Sequence, residues 1–546
     1  MTSVPTSSPG PRSGVFFVRT EGTLCRARRR TVTLDELNKL YYGDNLSVLR
    51  NDIASESVDL VYLDPPFNSK ATYNVLFRGK SGEKSQAQIE AFEDTWHWGD
   101  EAERAFDEVM HSGNADAAEL MRAFRIVLKE NDMMAYLCMM GVRLVELHRV
   151  LKPTGSVYLH CDPTASHYLK LLMDAVFGAN RFLNEITWRR SSAHSDSKQG
   201  MKRCGKIRDI LLLYSKTDNY IWNTQYTPYT QEYLESEYRH VADDGRRYKE
   251  TDLTAAKPGG DVEYEWRVKR RQDRVGARWE ADLAGEYNNP KDGFEYKGVF
   301  PYEGRFWAYS KDNLVEFANA GDLIHRSTGM PRLVQFADKM PGIPLQDLWD
   351  DISPASGNED LGYPTQKPLT LLERVVSVSS NEGSIVLDPF CGCGTAIHAA
   401  QKLKREWIGI DVTHLAISLI EKRLKDAFPG LKYEVHGTPK DLEGARALAA
   451  QDKYQFQWWA VSLVNAVPFA GKKKGADSGI DGLIYFKPEG KATEKAIVSV
   501  KGGDNVNVAM VRDLAHVVER EKAKIGVFIT LADSCGFRGK ANGIPG

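Results

Sequence analysis

Short apolar runs alternate with helical patterns in two separate stretches of the chain. The first stretch predicts helices at 132–151 and 165–177 and strands at 58–63, 155–160, 185–188 and 210–214. The second predicts helices at 368–380, 395–403 and 413–427 and strands at 384–387 and 407–410. Apolar runs this short, bounded by polar turns, are typical of strands in a sheet covered on both faces. The alternation therefore predicts an α/β fold with a parallel or mixed sheet between helices.

A segment without regular alternation lies between the two stretches, and a smaller unit follows them. Residues 220–309 hold 18 Phe, Trp and Tyr in 90 positions, whereas aromatic residues are 10% of the whole chain. We expect most of these side chains to form the core of a small inserted domain. A connecting helix is predicted at 438–454. The tail is predicted to contain a helix at 458–464 and strands at 480–486, 496–500 and 525–530.

Composition excludes several classes of protein. With 42% hydrophobic and 27% charged residues among 546, the chain is neither collagen-like nor disordered over long regions, and it can form two or three cores. No run approaches the roughly 20 apolar residues that span a bilayer, so no membrane partner is expected. Seven cysteines, without two pairs at zinc-ligand spacing, indicate a reducing compartment. The Arg-rich segment 1–32 predicts a flexible basic arm, with an organelle presequence as the alternative.

A glycine-rich turn follows the strand predicted at 384–387. It runs Asp388-Pro-Phe390-Cys-Gly392-Cys-Gly394-Thr395 and leads into a predicted helix. Glycines let the backbone approach a ligand closely, and a helix amino terminus favours negative charge. Asp411 ends the next predicted strand, where a carboxylate can accept both hydroxyls of a ribose. The pair predicts a nucleoside site; the alternative is an ordinary tight turn.

The motif Asp64-Pro65-Pro66-Phe67 ends the strand predicted at 58–63. The exocyclic amine of a nucleobase is a weak nucleophile because its lone pair is delocalised into the ring. The Asp64 carboxylate and the carbonyl near Pro65 can accept its two hydrogens and draw the nitrogen toward tetrahedral geometry, since the prolines hold that carbonyl rigidly. Phe67 offers a face on which a flipped base can stack. The alternative is a Pro-Pro turn with a capping Asp.

Together the two motifs resemble those of the beta class of amino DNA methyltransferases, over roughly residues 38–430. The resemblance implies a circularly permuted Rossmann-like sheet that binds S-adenosylmethionine and methylates a base flipped from double-stranded DNA, without a metal. It assigns catalysis to Asp64, Pro65, Pro66 and Phe67. It assigns cofactor binding to Asp44, Lys367, Asp388, Phe390, Gly392, Gly394, Thr395 and Asp411. Cys393 stands where the family often has Ser, a change that we expect to be tolerated.

The order of the motifs implies domain boundaries. We expect the catalytic half of the methyltransferase domain at 33–218 and its cofactor-binding half at 346–432. A target-recognition insert is expected at 219–345, and a small restriction-endonuclease-like α/β domain at 450–546.

The net charge of −2 hides a local excess of positive charge near the insert. Seven Lys or Arg and two Asp lie between Trp188 and Ile210, and the segment from Glu265 to Arg278 contains six basic and two acidic residues. Contacts to DNA phosphates require such segments, although a solvated charged face is the alternative. The residues predicted to bind DNA are Arg189, Arg190, Lys202, Arg203 and Lys206.

The tail carries a second group of charged residues. Asp481 lies at the start of one predicted strand, and Lys501 follows the strand Ile497-Val-Ser499-Val. An Asp and a Lys at adjoining strand ends can hold a divalent ion such as Mg²⁺ and orient water beside a phosphate. The pattern resembles Mrr-type restriction-endonuclease-like domains, but Ser499 occupies the position of a Glu or Gln. Three interpretations stay open: DNA cleavage, a relic kept for DNA binding, and chance.

The favoured function is methylation of adenine N6, because Asp-Pro-Pro-Phe resembles the adenine-modifying members and Ser-Pro-Pro-Tyr is commoner for cytosine N4. The alternatives are cytosine-N4 methylation, a bifunctional restriction-modification enzyme with an Mg²⁺-dependent tail, and a non-catalytic DNA-binding module. We expect a cytoplasmic, nucleoid-associated location in a prokaryote. The target sequence and a homodimer are left open.

Overall fold

The computed structural model describes most of the chain. The backbone and, except at 358 and 467, the side chains are described at 38–66, 97–191, 202, 204–257, 263–285, 293–363, 365–464, 466–469, 479–486, 494–503 and 505–532. At 72–78, 84–93, 358 and 467 only the backbone is described. The predicted arm at 1–32, Phe67 and Arg203 lie outside the described residues.

The first α/β stretch contains the predicted elements and several that the sequence analysis missed, which include the strands at 39–42, 72–78 and 84–93 and the helices at 100–110 and 115–128. Its strands are β1 (Lys39–Tyr42), β2 (Val58–Leu63), β3 (Thr72–Arg78), β4 (Lys84–Glu93), β5 (Leu151–Cys161), β6 (Phe182–Arg189) and β7 (Arg208–Ser215). Its helices are α1 (Asn45–Asn51), α2 (Asp100–Met110), α3 (Ala115–Leu128), α4 (Asp132–Val150) and α5 (Ser166–Phe177).

The insert consists of short strands and two helices in its described part. The strands are β8 (Tyr226–Thr227), β9 (His240–Val241), β10 (Arg247–Asp252), β11 (Thr254–Ala255), β12 (Trp266–Arg271), β13 (Glu280–Ala281), β14 (Phe294–Val299), β15 (Phe306–Trp307), β16 (Leu323–His325), β17 (Pro331–Phe336) and β18 (Ile343–Pro344). Strand β19 (Leu348–Trp349) follows the insert and joins the large sheet. The helices are α6 (Gln231–Glu237) and α7 (Lys311–Asn319). Trp266, Trp279 and Trp307 are buried in one cluster with aliphatic side chains, so these three aromatic residues of the insert form a core. Other aromatic residues of the segment are exposed, so the expectation holds only in part: Trp222, Tyr226, Phe300 and Tyr302.

The second α/β stretch and the tail contain the predicted elements and three that the sequence analysis missed: short strands at 434–436 and 467–468 and a helix at 508–520. The second stretch contains α8 (Leu369–Ser379), β20 (Ile385–Asp388), α9 (Thr395–Lys402), β21 (Glu406–Asp411), α10 (His414–Ala427) and β22 (Glu434–His436). The tail contains α11 (Leu442–Gln451), α12 (Lys453–Leu463), β23 (Val467–Pro468), β24 (Gly482–Phe486), β25 (Glu494–Lys501), α13 (Val508–Arg520) and β26 (Ile525–Thr530). The tail strands form a separate sheet in the order β23-β24-β25-β26.

Nine strands of the described chain form one sheet in the order β19-β6-β7-β5-β2-β20-β21-β1-β22. Strand β7 is antiparallel to both neighbours, and the other neighbouring pairs are parallel. Strands β2 and β20 lie side by side although the insert separates them in sequence, so the sheet has the predicted circularly permuted order. The carboxyl ends of β1, β2, β20 and β21 consequently meet at one edge, where ligands of such sheets bind.

Helices cover both faces of this sheet. Apolar residues of α1 to α5 pack on one face, and those of α8, α9 and α10 pack on the other. Strand β2 is buried along its whole length because it lies between both layers. No described helix combines the length and the apolar character needed to cross a membrane.

Candidate active site

A cavity opens at the carboxyl edge of the large sheet, where β1, β2, β20 and β21 end. Its volume is about 360 Å³, and residues from all four strand ends and from the loop before α8 line it. The sequence-predicted residues that line it are Asp44, Asp64, Pro65, Pro66, Lys367, Asp388, Phe390, Gly392, Thr395 and Asp411. Two motifs separated by the insert therefore form one site.

Asp64 extends from the buried end of β2 into this cavity. Lys367 Nζ donates to Asp64 Oδ2 over 2.5 Å, and the two side chains are 9% and 16% exposed, respectively. Lys367 Nζ also donates to the Thr365 carbonyl at 3.3 Å. Hydrogen bonds between a charged donor and a charged acceptor are roughly twice as strong as neutral ones. Lys367, predicted for the cofactor side, thus orients the carboxylate of the Asp-Pro-Pro motif.

Gly392 and Gly394 give the turn after β20 a backbone that other residues would strain. Their φ angles are +49° and +75°, which only glycine adopts readily. A Cβ at Gly394 would lie 2.7 Å from Ile420 Cγ1, and one at Gly392 would lie 3.3 Å from the Tyr363 ring. The turn is therefore packed tightly behind the cavity, and Gly394 is the N-cap of α9.

Asp411 joins the turn after β20 to the turn after β21. Its Oδ2 accepts a hydrogen bond from Gly392 N at 3.0 Å, and its Oδ1 accepts from Thr413 N and Oγ1, both at 2.8 Å. A carboxylate offers about four acceptor positions, so it can still accept from a ligand hydroxyl. Burial raises the pKa of Asp411 to about 6, although these hydrogen bonds favour the charged form.

Asp388 is the second buried carboxyl group of the cavity. It is 4% exposed, and its Oδ1 accepts a hydrogen bond from Phe390 N at 3.1 Å. Burial raises the pKa of Asp388 well above its usual value, and the nearby charges of Asp64 and Asp411 raise it further. A cation bound beside this group would favour its charged form. The cavity is thus electrostatically suited to a positively charged ligand.

Arg143 is a residue of the site that the sequence analysis missed. It lies on α4, is 5% exposed, and donates from Nη2 to Asp44 Oδ1 at 2.8 Å and from Nε to Asn45 Oδ1 at 2.6 Å. Asn45 Nδ2 in turn donates to the Pro389 carbonyl at 2.8 Å. This network fixes the start of α1 to the glycine-rich turn. An arginine between the apolar residues Val142 and Leu144 of α4 is the signal that could have revealed it.

A buried polar chain runs from the cavity floor toward the basic segment. The Tyr62 hydroxyl, which lines the cavity, lies 2.9 Å from His160 Nδ1, and His160 Nε2 lies 3.3 Å from Asp209 Oδ2. Arg190 Nε is 3.4 Å from Asp209 Oδ1. Burial opposes ionisation of Asp209, but its hydrogen bond with His160 and the charge of Arg190 lower its pKa. Arg190 is therefore anchored from within the sheet.

Three of the described basic residues predicted for DNA lie at the same sheet edge as the cavity. Arg189 ends β6, which runs in the same direction as β5 and β2. Arg189 Nη2 donates to the Asp350 carbonyl at 3.0 Å, and Lys206, just before β7, donates to Thr164 Oγ1 at 3.3 Å. Lys202 is exposed. The structure thus brings Arg189, Arg190 and Lys206 to one edge.

In the tail, Asp481 makes hydrogen bonds within the domain. Its Oδ1 accepts from Gln457 Nε2 and its Oδ2 accepts from Val500 N, both at 2.6 Å. Ser499 is 3% exposed, so the position expected for a second acidic ligand is neutral and buried. Mg²⁺ requires several oxygen ligands in a near-octahedral arrangement. Among the described residues, no three His, Cys, Asp or Glu are grouped so as to hold a metal, so the described part of the tail does not fit Mg²⁺.

The chain belongs to the N6/N4 family of DNA methylases. Residues 58–422, more than half of the chain, match the model of that family, and this range includes both motifs of the cavity. Residues 448–541 match the model of the Mrr catalytic restriction endonuclease domain. The resemblances carried by Asp64-Pro65-Pro66, the glycine-rich turn and the tail are thereby confirmed.

Relatives include modification enzymes. The type II methyltransferase M.EcaI of Enterobacter cloacae is 33% identical over 291 residues, 53% of this chain and 57% of that protein. The Mod subunit of the type III restriction-modification enzyme StyLTI of Salmonella typhimurium is 25% identical over 394 residues, 68% of this chain and 50% of that protein. The chain thus spans about half the length of these curated relatives. A DNA modification methylase of Thermus thermophilus, solved with S-adenosyl-L-methionine, covers 74% of this chain and 100% of its own at 16% identity, with a TM-score of 0.33.

Proposed function

We propose that the chain transfers a methyl group from S-adenosylmethionine to the exocyclic amine of a base flipped out of double-stranded DNA, with adenine N6 as the acceptor. The observation that carries the proposal is the shared cavity. The Asp64-Pro65-Pro66 strand end and the turn after β20 line the same space of about 360 Å³. Membership of the N6/N4 DNA methylase family supports this class of reaction.

The residues at the ends of β20 and β21 suit the cofactor. Asp388 is a buried carboxyl group, and the ammonium of S-adenosylmethionine would compensate its burial. The remaining acceptor capacity of Asp411 matches a ribose hydroxyl, as carboxylates at this position of nucleoside-binding sheets do. Gly392 brings the backbone close to the ligand without a side chain. When bound, the cofactor supplies an electrophilic methyl group.

The residues at the end of β2 suit the base. Asp64 Oδ2 is held by Lys367, so Oδ1 is oriented to accept one hydrogen of the amine. A backbone carbonyl beside Pro65 accepts the other, and the two acceptors localise the lone pair on nitrogen. Asp64 can then take the proton that the methylated amine releases. Phe67, outside the described residues, is proposed to stack on the base.

The DNA backbone would lie along the carboxyl edge of the sheet. Arg189, Arg190 and Lys206 are at this edge, so they can contact phosphates while the base enters the cavity. The insert, 219–345, is proposed to read base edges in the grooves, which is where sequence specificity arises. We further propose the halves 33–218 and 346–432 as the methyltransferase domain and 450–546 as the endonuclease-like domain.

Nucleoside mass spectrometry distinguishes adenine N6 from cytosine N4. Duplex DNA treated with the protein and S-adenosylmethionine should contain N6-methyladenine and no N4-methylcytosine. The motif favours adenine because Phe67 follows Asp-Pro-Pro. N4-methylcytosine as the sole product would show that cytosine N4 is the acceptor and would contradict adenine N6. The role proposed for Asp64 would then apply to the cytosine amine.

A second candidate function, Mg²⁺-dependent DNA cleavage, is favoured by the match of residues 448–541 to the restriction endonuclease model. Ser499 and the two hydrogen bonds of Asp481 argue against it. Incubation of unmethylated DNA with Mg²⁺ and excess protein tests it: strand breaks that disappear in an Asp481→Ala variant would establish the nuclease.

A further inference from the structure

Helix α12 of the tail, Lys453–Leu463, packs directly behind the wall of the cavity. Trp458 is buried in a cluster with Tyr363, Cys393 and Leu415. Tyr363 and Cys393 line the cavity on their other side. One aromatic side chain of the tail therefore supports two wall residues of the proposed cofactor site.

A second residue of α12 holds the turn after β21. The Gln455 side-chain oxygen accepts a hydrogen bond from His414 N at 3.2 Å. His414 follows Thr413, which bonds to Asp411, and its ring stacks on Tyr42 at a centroid distance of 3.7 Å. Tyr42 immediately precedes the cavity residue Gly43, so this contact supports both strand ends that carry the turns.

A third residue of the helix connects α12 to the endonuclease-like site. Gln457 donates to Asp481 Oδ1 at 2.6 Å, and the other oxygen of Asp481 accepts from Val500 N at 2.6 Å on β25. The carboxylate therefore bridges α12 to the tail sheet. Phe456 adds to this attachment, because it is buried in the core that contains Val498 and Val500.

We propose that the endonuclease-like tail is a structural part of the cofactor pocket. Gln455 and Trp458 are positioning residues for the pocket wall, and Asp481 holds their helix in place through Gln457 instead of holding a metal ion. This inference rests on the proposed function, because it takes the cavity as the site of S-adenosylmethionine. It gives the residue that resembles a nuclease ligand a role in methyl transfer.

Calorimetric titration of the full chain with S-adenosylmethionine, without DNA or Mg²⁺, tests the inference. Trp458→Ala should raise the cofactor Kd by about tenfold, and Gln457→Ala and Asp481→Ala by about five- to tenfold, a range typical of coupling between sites. The cofactor Kd of the double variant Gln457→Ala/Asp481→Ala should not exceed that of the single variant with the higher Kd, because either substitution alone already removes the hydrogen bond between the two residues. In methyl transfer at saturating cofactor, kcat should stay within about twofold while the KM for cofactor rises.

The matched control is Leu514→Ala. Leu514 is buried on α13 in the other core of the tail, with Ile480, Leu483 and Val517. Its truncation should lower the Tm of the tail as much as the other variants do, while the cofactor Kd stays as in the wild type. Trp458→Phe should give a smaller increase in Kd than Trp458→Ala, since a ring remains against Tyr363.

The possible results distinguish failure of the proposed function from failure of the role proposed for the tail. A wild-type chain that fails to bind S-adenosylmethionine would overturn the proposed function itself. A wild type that binds, with unchanged Kd in the Trp458, Gln457 and Asp481 variants, would overturn only the role of the tail. An Asp481→Ala variant that loses Mg²⁺-dependent DNA cleavage present in the wild type, and keeps the wild-type cofactor Kd, would also overturn it.

Discussion

Lys367 Nζ lies 2.5 Å from Asp64 Oδ2, although 303 positions separate the two residues. The contact crosses the whole insert in sequence and joins the loop before α8 to the end of β2. The contact occupies Oδ2 of the Asp64 carboxylate and thereby fixes the direction in which Oδ1 points. The cofactor half and the catalytic half of the cavity are thereby held in one arrangement.

Removal of Lys367 should therefore reduce the rate of methyl transfer more than it reduces cofactor binding. For Lys367→Met we expect kcat to fall by about 10²-fold, the lower end of what loss of a preorganised polar contact costs. Steady-state kinetics and calorimetry on the same variant check this. The control Glu382→Gln removes one partner of an exposed ion pair, and it should leave both quantities unchanged. An unaltered kcat in Lys367→Met would contradict the role.

Cofactor affinity should rise with pH in the slightly acidic range. Burial raises the pKa of Asp411 to about 6 from its usual 3.8, and a charged carboxylate accepts a ribose hydroxyl better than a neutral one. We expect the Kd for S-adenosylmethionine to fall by about tenfold between about pH 5 and about pH 7.

The stability of the folded protein should change with pH in the opposite direction to the cofactor affinity. The folded state without cofactor binds the Asp411 proton more tightly than the unfolded state, so stability falls as pH rises from about 4 to about 6. Asp411→Asn should bind cofactor more weakly at neutral pH and with a smaller pH dependence. Calorimetric titration of the wild type and of Asp411→Asn with S-adenosylmethionine between about pH 5 and about pH 7 tests this. If the Kd of both proteins changed with pH to the same extent, Asp411 would be excluded as the titrating group.

Gly394 should tolerate alanine less well than another glycine in the same backbone conformation. Both Gly394 (φ +75°) and Gly430 (φ +86°) are left-handed, but a Cβ at Gly430 meets no atom within 4 Å. Gly430→Ala should cost only backbone strain of about 1–2 kcal/mol. Gly394→Ala adds overlap with Ile420, for about 1–3 kcal/mol more. Thermal unfolding of the two variants measures the difference in stability. Equal Tm values would contradict the expected overlap between a Cβ at position 394 and Ile420.

The basic segment between Trp188 and Ile210 should contribute to DNA affinity through phosphates. For the double variant Lys202→Ala/Lys206→Ala we expect the slope of log K against log salt to decrease by about 2, close to 0.9 for each phosphate that a lysine no longer neutralises. Fluorescence anisotropy with a duplex at several salt concentrations measures it. Lys402→Ala/Lys425→Ala, near the carboxyl ends of α9 and α10, is the control and should leave the slope unchanged.

The large sheet could be predicted because its strands are continuous apolar runs between turns. Val58–Leu63 is buried at every position, so burial on both faces is visible in sequence. Helices α2 and α3 were missed although α2 buries Ala102, Ala105, Phe106 and Val109. That spacing is helical, so the signal for α2 is present in the sequence.

The site was predictable only as far as its motifs are contiguous in sequence. Asp64, Gly392 and Asp411 each stand at a strand end that an apolar run marks. Contacts such as Arg143 with Asp44, or Gln457 with Asp481, depend on how distant helices pack. No local pattern encodes such a contact, because its energy arises only when the tertiary fold brings both partners out of water.

The most direct test of the account is the product formed on DNA. Purified protein, duplex DNA and methyl-labelled S-adenosylmethionine are incubated, and the digested nucleosides are identified by mass spectrometry. The account predicts labelled N6-methyladenine with the wild type and none with Asp64→Ala, although that variant still binds the cofactor. An unchanged yield of methylated base from Asp64→Ala would contradict it.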